Sequence, residues 1–161
     1  AASDVYKRQG FIWEFLFNLP VGKFLRTIHP IDQQRKREII IRTIHLGVQR
    51  EKILFVCDSE VDLGCVQLLK GTGLTLAFNG TEKVCEKVDL AYVGDNATII
   101  EEVARLFARH GKERVIKYYT PVRRVSHGII TAVTPQNLEE LKEVSARKRE
   151  EFLGASIGKL T

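Results

Sequence analysis

The sequence predicts an α/β fold with a parallel sheet and a helical C-terminal tail. Short apolar runs alternate with amphipathic segments through the middle of the chain, a pattern typical of βαβ units. One of these runs, Ile53–Cys57, ends directly in acidic residues, and ligands gather beyond the carboxyl ends of parallel strands. A chain of 161 residues with 44% hydrophobic and 28% charged residues suits one domain with a sizeable core.

The N-terminal thirty residues differ from the rest of the chain. Residues 1–9 show no periodicity, and the chain contains no methionine, so we predict a non-native leader on a fragment of a longer protein. Residues 10–30 are apolar and aromatic, and we interpret them as the end of a missing upstream or cap region. The stretch Phe11–Phe17 is therefore a candidate surface for a protein partner or for self-association.

Residues 31–111 are predicted to form the core half of the fold. A helix is expected at Gln33–His45, where Ile40 and Ile44 share one face, although a short buried strand stays an alternative because Ile39 overfills the pattern. The further elements are a strand at Lys52–Cys57, a helix at Val61–Lys70, a strand at Leu74–Phe78, a short helix at Thr81–Lys87, a strand at Leu90–Val93, and a long amphipathic helix that Gly111 closes.

Residues 112–161 form the predicted C-terminal α/β tail. It contains a helix at Lys112–Tyr119, a strand at Gly128–Val133 and a charged helix with Thr134 as its N-cap. The apolar face of that last helix is predicted to consist of Leu138, Leu141, Val144 and Phe152.

Composition excludes several classes of function. The net charge is +5, but Lys and Arg are spread along the chain and interleaved with Glu, so we predict no nucleic-acid binding. No apolar run is long enough to span a membrane, and the first residues lack the positive-then-apolar pattern of a signal peptide, so we expect neither feature. Three cysteines without a CxxC pair argue against a disulfide framework and a zinc site, and they predict a cytoplasmic location.

Asp58 and Asp62 are the leading candidates for a site. Two carboxylates directly after a buried strand suit a hard divalent cation such as Mg²⁺. The alternative is that Asp58 or Ser59 caps the following helix while Asp62 occupies its first turn. Asp95 also follows an apolar strand, but Ile99 stands where a second acid would be needed.

Two further positions are candidates for a functional site. Lys36 lies near the start of the first helix, where the positive dipole end disfavours a lysine unless a phosphate is close. Taken alone, Lys36 is better explained by a solvated basic patch. Asn79-Gly80 follows the second strand and could be a tight turn in which Gly80 takes a positive φ.

The order of these parts resembles the C-terminal half of haloacid dehalogenase-like hydrolases. A helix-borne Lys36, a strand ending in Val56-Cys57-Asp58-Ser59, a strand ending in Phe78-Asn79-Gly80 and the acidic strand Val88–Val93 recur in that order. The similarity runs from about Gly10 to the end and is greatest to a largely archaeal subgroup that includes energy-converting hydrogenase A subunit R proteins. It implies a Rossmann-like, three-layer α/β/α core, here incomplete.

The resemblance also implies roles for four residues. Asp58 would bind Mg²⁺, Asp62 would support it from behind, Lys36 would hold the phosphoryl group and orient the nucleophile, and Ser59 would lie in the substrate loop. The implied substrate is a phosphorylated small molecule. The chain departs from the family at Cys57, where glycine is usual, and in the loop before Lys36, which is usually glycine-rich.

The family's nucleophile is the first Asp of an Asp-x-Asp motif, and no such motif occurs in these 161 residues. The resemblance therefore implies a phosphohydrolase fragment that is inactive alone. The alternative is a non-catalytic binding or complex-assembly domain on the same fold, because a fold does not determine a function.

Overall fold

The computed structural model of this protein describes residues 32–154, all of which belong to the second of two compact units, Asp32–Thr161. The predicted leader, the aromatic segment and the last seven residues lie outside the described part. Within residues 32–154, no helix is long and apolar enough to cross a membrane.

Five strands form one mixed sheet in the order β1-β2-β3-β5-β4. The strands are β1 Leu54–Cys57, β2 Leu74–Phe78, β3 Leu90–Gly94, β4 Arg123–Val125 and β5 Gly128–Ala132. The first three are parallel to one another, whereas β5 runs antiparallel to both β3 and β4. The prediction of a parallel sheet is thus right for β1, β2 and β3 and wrong for β5. The reason is the two-residue connection Ser126-His127, which turns the chain into a hairpin, and hairpin neighbours are antiparallel.

The helices follow the predicted order. They are α1 Gln33–His45, α2 Leu63–Leu69, α3 Glu82–Cys85, α4 Thr98–Tyr119 and α5 Leu138–Leu153, with short 3₁₀ turns at Arg50–Lys52 and Glu60–Asp62. Helix α1 has the predicted bounds, which makes the alternative of a buried strand wrong. Asp32 caps it by accepting a hydrogen bond from the amide of Arg35 at 2.9 Å. Helix α4 is interrupted at Gly111, whose φ of +74° ends the first segment as predicted.

Both faces of the sheet carry apolar side chains, because successive residues of a strand point to opposite sides. On one face Leu76 and Tyr92 pack with Val103 and Phe107 of α4. On the other face, β1, β2 and β3 pack with the helices α2, α3 and α5. This second cluster contains Cys57, Val66, Ala77, Val84, Cys85, Ala91 and Leu141. A third, smaller cluster joins α1 to α2 through Ile40, Cys65 and Leu69.

Asp89 organises the edge of the sheet where β3 begins. Its carboxylate accepts hydrogen bonds from the amide and hydroxyl of Thr75 at 2.9 and 2.8 Å, and it pairs with Lys112 at 2.8 Å. Lys112 also donates to the carbonyl of Gly73 at 2.7 Å. Asp89, the acid of the Val88–Val93 segment, therefore has a structural role. It joins β2, β3 and α4 near the amino ends of the strands, whereas Asp58 follows a carboxyl end.

A matched pair of substitutions tests the assignment of the core. Leu76→Ala should lower the free energy of unfolding by about 3 kcal/mol, since it leaves a cavity under a fully buried side chain. Leu46→Ala serves as the control because that side chain is 79% exposed, and it should change stability by less than about 0.5 kcal/mol. Urea unfolding followed by circular dichroism measures both, and equal losses would contradict the assignment.

Candidate functional site

The carboxyl ends of the three parallel strands lie at one edge of the sheet, and a polar residue follows each of them. Asp58 follows β1, Asn79 follows β2 and Asp95 follows β3. In open α/β sheets, this edge is where ligands bind. Asp58, which is one of the predicted site residues, therefore lies at this edge together with Asn79 and Asp95.

Lys36 and Asp62 form a direct ion pair. The Lys36 ammonium lies 2.6 Å from Oδ1 of Asp62, although 26 positions separate the two residues. The Asp62 side chain is only 5% exposed and the Lys36 side chain is 33% exposed. The other carboxylate oxygen, Oδ2, lies 3.5 Å from the amide nitrogen of Asp58. Asp62 thus connects α1 to the loop after β1, and the structure brings three of the four predicted residues together.

The capping alternative is not borne out at the side chains of this loop. Asp62 is the residue before α2 and Ser59 is the residue before the 3₁₀ turn, but neither side chain makes a capping hydrogen bond. The carboxylate of Asp62 is used by Lys36 instead. The side chain of Ser59 is partly buried in the same loop, and its predicted contact with substrate stays a prediction.

The hydrogen bond that the Lys36 ammonium donates to Asp62 raises the pKa of Lys36 above its usual value of 10.5. Partial burial of the ammonium acts in the opposite direction, and the negative charges of Asp62 and Asp58 add further to the increase. Lys36 therefore stays protonated throughout the physiological range. The stabilisation that this pair contributes to the fold is complete below pH 10.5 and is lost as the pH rises through the folded-state pKa.

Asp58 differs from Asp62 because its carboxylate is accessible. The side chain is 60% exposed, and within residues 32–154 the cation paired with it is Nη1 of Arg149, 3.6 Å from Oδ2. That distance is too long for a hydrogen bond, and an ion pair at an exposed carboxylate contributes about 0–1 kcal/mol. The residues that the structure describes therefore leave most of the coordinating capacity of Asp58 unused.

The backbone of Asp58 is held much more firmly than its side chain. Its carbonyl accepts hydrogen bonds from the amide of Thr81 at 2.9 Å and from Nη1 of Arg149 at 3.2 Å. The same Nη1 donates to the carbonyl of Asn79 at 2.9 Å. Hydrogen bonds from a charged donor contribute about 1.5–3 kcal/mol each. Arg149 thus acts mainly on two backbone carbonyls, and it joins the ends of β1 and β2.

Sequence reasoning missed Arg149 and Ser145. The predicted apolar face of the last helix included Phe152, which is 57% exposed, whereas the buried positions of α5 are Leu141, Ser145 and Arg149. Ser145 donates from its hydroxyl to the carbonyl of Gly80 at 2.7 Å. The four-residue spacing of these positions was visible, but a stripe containing Ser and Arg is ordinarily read as solvent-facing.

The start of α5 also differs from the prediction. Asn137, not Thr134, precedes the helix. Its side-chain oxygen accepts a hydrogen bond from the amide of Thr134 at 2.9 Å, so Asn137 closes the turn that leads into α5.

Asn79 rather than Gly80 takes the positive φ, at +47°. Its side chain bridges to Gly94, donating to the carbonyl and accepting from the amide, both at 2.9 Å. Asn is one of the few residues that tolerate this conformation, and here its amide group also joins the ends of β2 and β3. The Phe-Asn-Gly sequence therefore connects strand ends.

Cys57, one of the positions at which the sequence departs from the family that it resembles, packs into the core. Its thiol lies 3.6 Å from the carbonyl of Leu76 on the neighbouring strand and packs in the apolar cluster with Ala77 and Val66. Burial, together with the nearby charges of Asp62 and Asp58, raises the pKa of Cys57 well above the usual range. The residue is thus a neutral packing group.

The donor set at this edge suits a hard cation but does not complete its coordination. Asp58 provides exposed carboxylate oxygens, whereas Asp95 is engaged by Lys148 at 2.6 Å. Within residues 32–154, no group of three or more His, Cys, Asp and Glu side chains could hold a metal ion. A cation at Asp58 would need water or groups from outside the described residues for its other ligands.

Comparison with known proteins gives a fold relationship. No protein-family model and no curated protein matches the chain. The solved structure of gene product AF1437 from Archaeoglobus fulgidus is similar, with a TM-score of 0.67 and 24% sequence identity. The match covers 91% of this chain and 46% of that chain, so this chain spans about half the length of the archaeal protein. At this level of identity the similarity concerns the fold alone.

The Lys36–Asp62 pair is tested by neutralising the acid. Asp62→Asn should lower the pKa of Lys36, measured by NMR titration of its side chain, and should reduce unfolding stability by about 1 kcal/mol at pH 7. The difference in stability from wild type should shrink above pH 10.5, where wild-type Lys36 loses its proton.

Glu60→Gln is the matched control. Glu60 lies in the same loop as Asp62 and pairs with Lys83 of α3 at 3.1 Å, and the Lys83 side chain is largely exposed. Glu60→Gln should leave the Lys36 titration unchanged. An unaltered Lys36 pKa in Asp62→Asn would contradict the assigned pair.

Proposed function

We propose that this chain supplies the phosphate-holding and Mg²⁺-holding part of a haloacid dehalogenase-like phosphohydrolase site that acts on a phosphorylated small molecule in the cytoplasm. The observation that carries the proposal is the convergence of Lys36, Asp62 and Asp58 at the carboxyl end of β1. The sheet with apolar clusters on both faces further supports a Rossmann-like, three-layer core.

Asp58 is the residue that would hold Mg²⁺. Its carboxylate is the accessible one, while the backbone on which it stands is hydrogen-bonded to Thr81 and Arg149. Oxygen ligands on a rigid support suit Mg²⁺, which tolerates little distortion. When bound, the cation would neutralise negative charge on the phosphoryl oxygens.

Lys36 and Asp62 act together on the phosphoryl group. An ammonium has three donors, and Asp62 occupies one of them at 2.6 Å, which leaves two for phosphoryl oxygens. The buried carboxylate also keeps the ammonium charged and directs it to this edge of the sheet. Ser59, in the same loop, would contact the substrate.

The nucleophile that the resemblance implies would have to come from outside these 161 residues, which contain no Asp-x-Asp. In the implied reaction, an aspartate oxygen bonds to phosphorus while the bond to the substrate oxygen breaks, and water then hydrolyses the acyl phosphate. Lys36 would stabilise the charge on the transferred group. Binding without turnover is therefore the behaviour proposed for this chain.

A non-catalytic binding domain is the second candidate. The observation that favours it is that cations of the chain already lie beside both acids, Lys36 beside Asp62 and Arg149 beside Asp58. In that case the charge pairs would stabilise the loop conformations, and Asp58 would not bind a divalent cation.

Mn²⁺ is a suitable probe because its unpaired electrons broaden NMR signals near its binding site. In the full 161-residue chain, Mn²⁺ should broaden the amide signals of Asp58 and Ser59 at millimolar concentration, and Mg²⁺ should compete. Asp58→Asn should abolish the effect. Asp95→Asn is the matched control, since Asp95 lies at the same edge but is paired with Lys148, and it should leave the broadening intact.

A hydrolysis assay distinguishes both candidate functions, the phosphohydrolase part and the binding domain, from a complete enzyme. The 161-residue chain should not hydrolyse p-nitrophenyl phosphate in the presence of Mg²⁺. Hydrolysis that Asp58→Asn abolishes would contradict the assignment of an absent nucleophile. Broadening at Asp95 instead of Asp58, or none at all, would contradict the metal role of Asp58 and favour the binding domain.

A further inference from the structure

The second half of α5 crosses the carboxyl ends of all three parallel strands. Arg149 donates to the carbonyls of Asp58 and Asn79, and Ser145 donates to the carbonyl of Gly80. Lys148 pairs with Asp95 at 2.6 Å. Contacts from one helix therefore reach the loops that follow β1, β2 and β3, although Arg149 is 91 positions from Asp58 in the sequence.

We propose that Arg149 is a positioning residue for cation binding at Asp58. This inference rests on the proposed function, since it concerns the same site. Arg149 acts through the two carbonyls that it binds, and thereby sets the path of the backbone that presents the Asp58 side chain. It makes no contact with the cation in this role.

The burial of Arg149 indicates a role other than stability. The residue is 7% exposed, and its Nε atom is buried with no hydrogen-bond partner among residues 32–154. Burying a guanidinium is costly, and apolar residues of similar volume often stabilise a fold equally well. A buried arginine that donates hydrogen bonds to two strand ends, at 2.9 and 3.2 Å, fits the geometric requirement of a site.

The distribution of contacts on Asp58 supports positioning over charge pairing. The carbonyl of Asp58 receives two hydrogen bonds, from Thr81 and Arg149, while its carboxylate is 60% exposed and lies 3.6 Å from Nη1. Loss of Arg149 would leave the amide of Thr81 as the remaining bond to that carbonyl. The carboxylate would then sample more orientations, and a cation with strict geometry would bind more weakly.

The opposite effect is expected if Arg149 mainly competes with the cation. A positive charge near Asp58 repels a divalent ion, so its removal would tighten binding. The two interpretations therefore predict opposite signs for one measurement, the affinity of Mn²⁺ for Arg149→Met.

The experiment compares four variants of the 161-residue chain with wild type. Arg149→Met removes charge and donors, and Arg149→Lys restores the charge and part of the donor capacity. Ser145→Ala removes another buried hydrogen bond made by α5 and shows the effect of structural weakening alone. Arg147→Met removes an exposed arginine from the same helix. Mn²⁺ affinity is measured by NMR broadening, and hydrogen exchange is measured at the Thr81 amide.

Positioning predicts about tenfold weaker Mn²⁺ binding for Arg149→Met, partial rescue by Arg149→Lys, and wild-type affinity for Ser145→Ala and Arg147→Met. Exchange at Thr81 should be at least tenfold faster in Arg149→Met. Unchanged or tighter binding in Arg149→Met, with the fold retained by circular dichroism, would overturn the inference while leaving the proposed function intact.

Failure of the proposed function is distinguishable from failure of the inference. If wild type shows no Mn²⁺ binding at Asp58, the proposed function fails, and the inference about cation positioning fails with it. If wild type binds and only the Arg149 result is negative, the proposed function stands. If Arg149→Met and Ser145→Ala weaken binding equally, Arg149 has a structural role only, which also overturns the inference.

Discussion

The parallel pairing of β1, β2 and β3 is the constraint on which the candidate site depends. Backbone hydrogen bonds place Cys57 opposite Ala77 and Phe78 opposite Tyr92, so the three strands end at one edge. The next residues, Asp58, Asn79 and Asp95, consequently meet there. Helix α4, packed on one face, and α5, packed on the other, hold the strands in this register through apolar contacts.

Acidic groups at this edge are balanced by cations from helices that are distant in sequence. Lys36 comes from α1 and pairs with Asp62, whereas Arg149 and Lys148 come from α5 and reach Asp58 and Asp95. The three contacts are not equivalent. Asp62 is buried and its pairing raises the pKa of Lys36, but Asp58 keeps an exposed carboxylate on a fixed backbone. This asymmetry gives two neighbouring carboxylates different uses.

Local patterns were sufficient for most elements of the described part and for the residues of the loop after β1. The i, i+4 spacing of Ile40 and Ile44 identified α1, and apolar runs identified the three parallel strands. The short polar strand Arg123–Val125 was missed because it is an edge strand held by one neighbour, β5. The parallel direction was wrong for β5, since strand direction depends on a hairpin that a β-propensity pattern does not specify.

The sequence by itself determined the order of the helices and of the strands β1, β2, β3 and β5, the position of Asp58 and Asp62 after β1, and the candidacy of Lys36. These depend on apolar periodicity and on residue types within a few positions of each other. Only the tertiary structure decided that Asp62 binds Lys36, that Asp58 stays exposed, and that Arg149 secures the loop beneath it. Such contacts join residues 26 to 91 positions apart, and their geometry follows from sheet register and helix packing. The acidic pair is therefore one buried partner for a lysine and one accessible carboxylate.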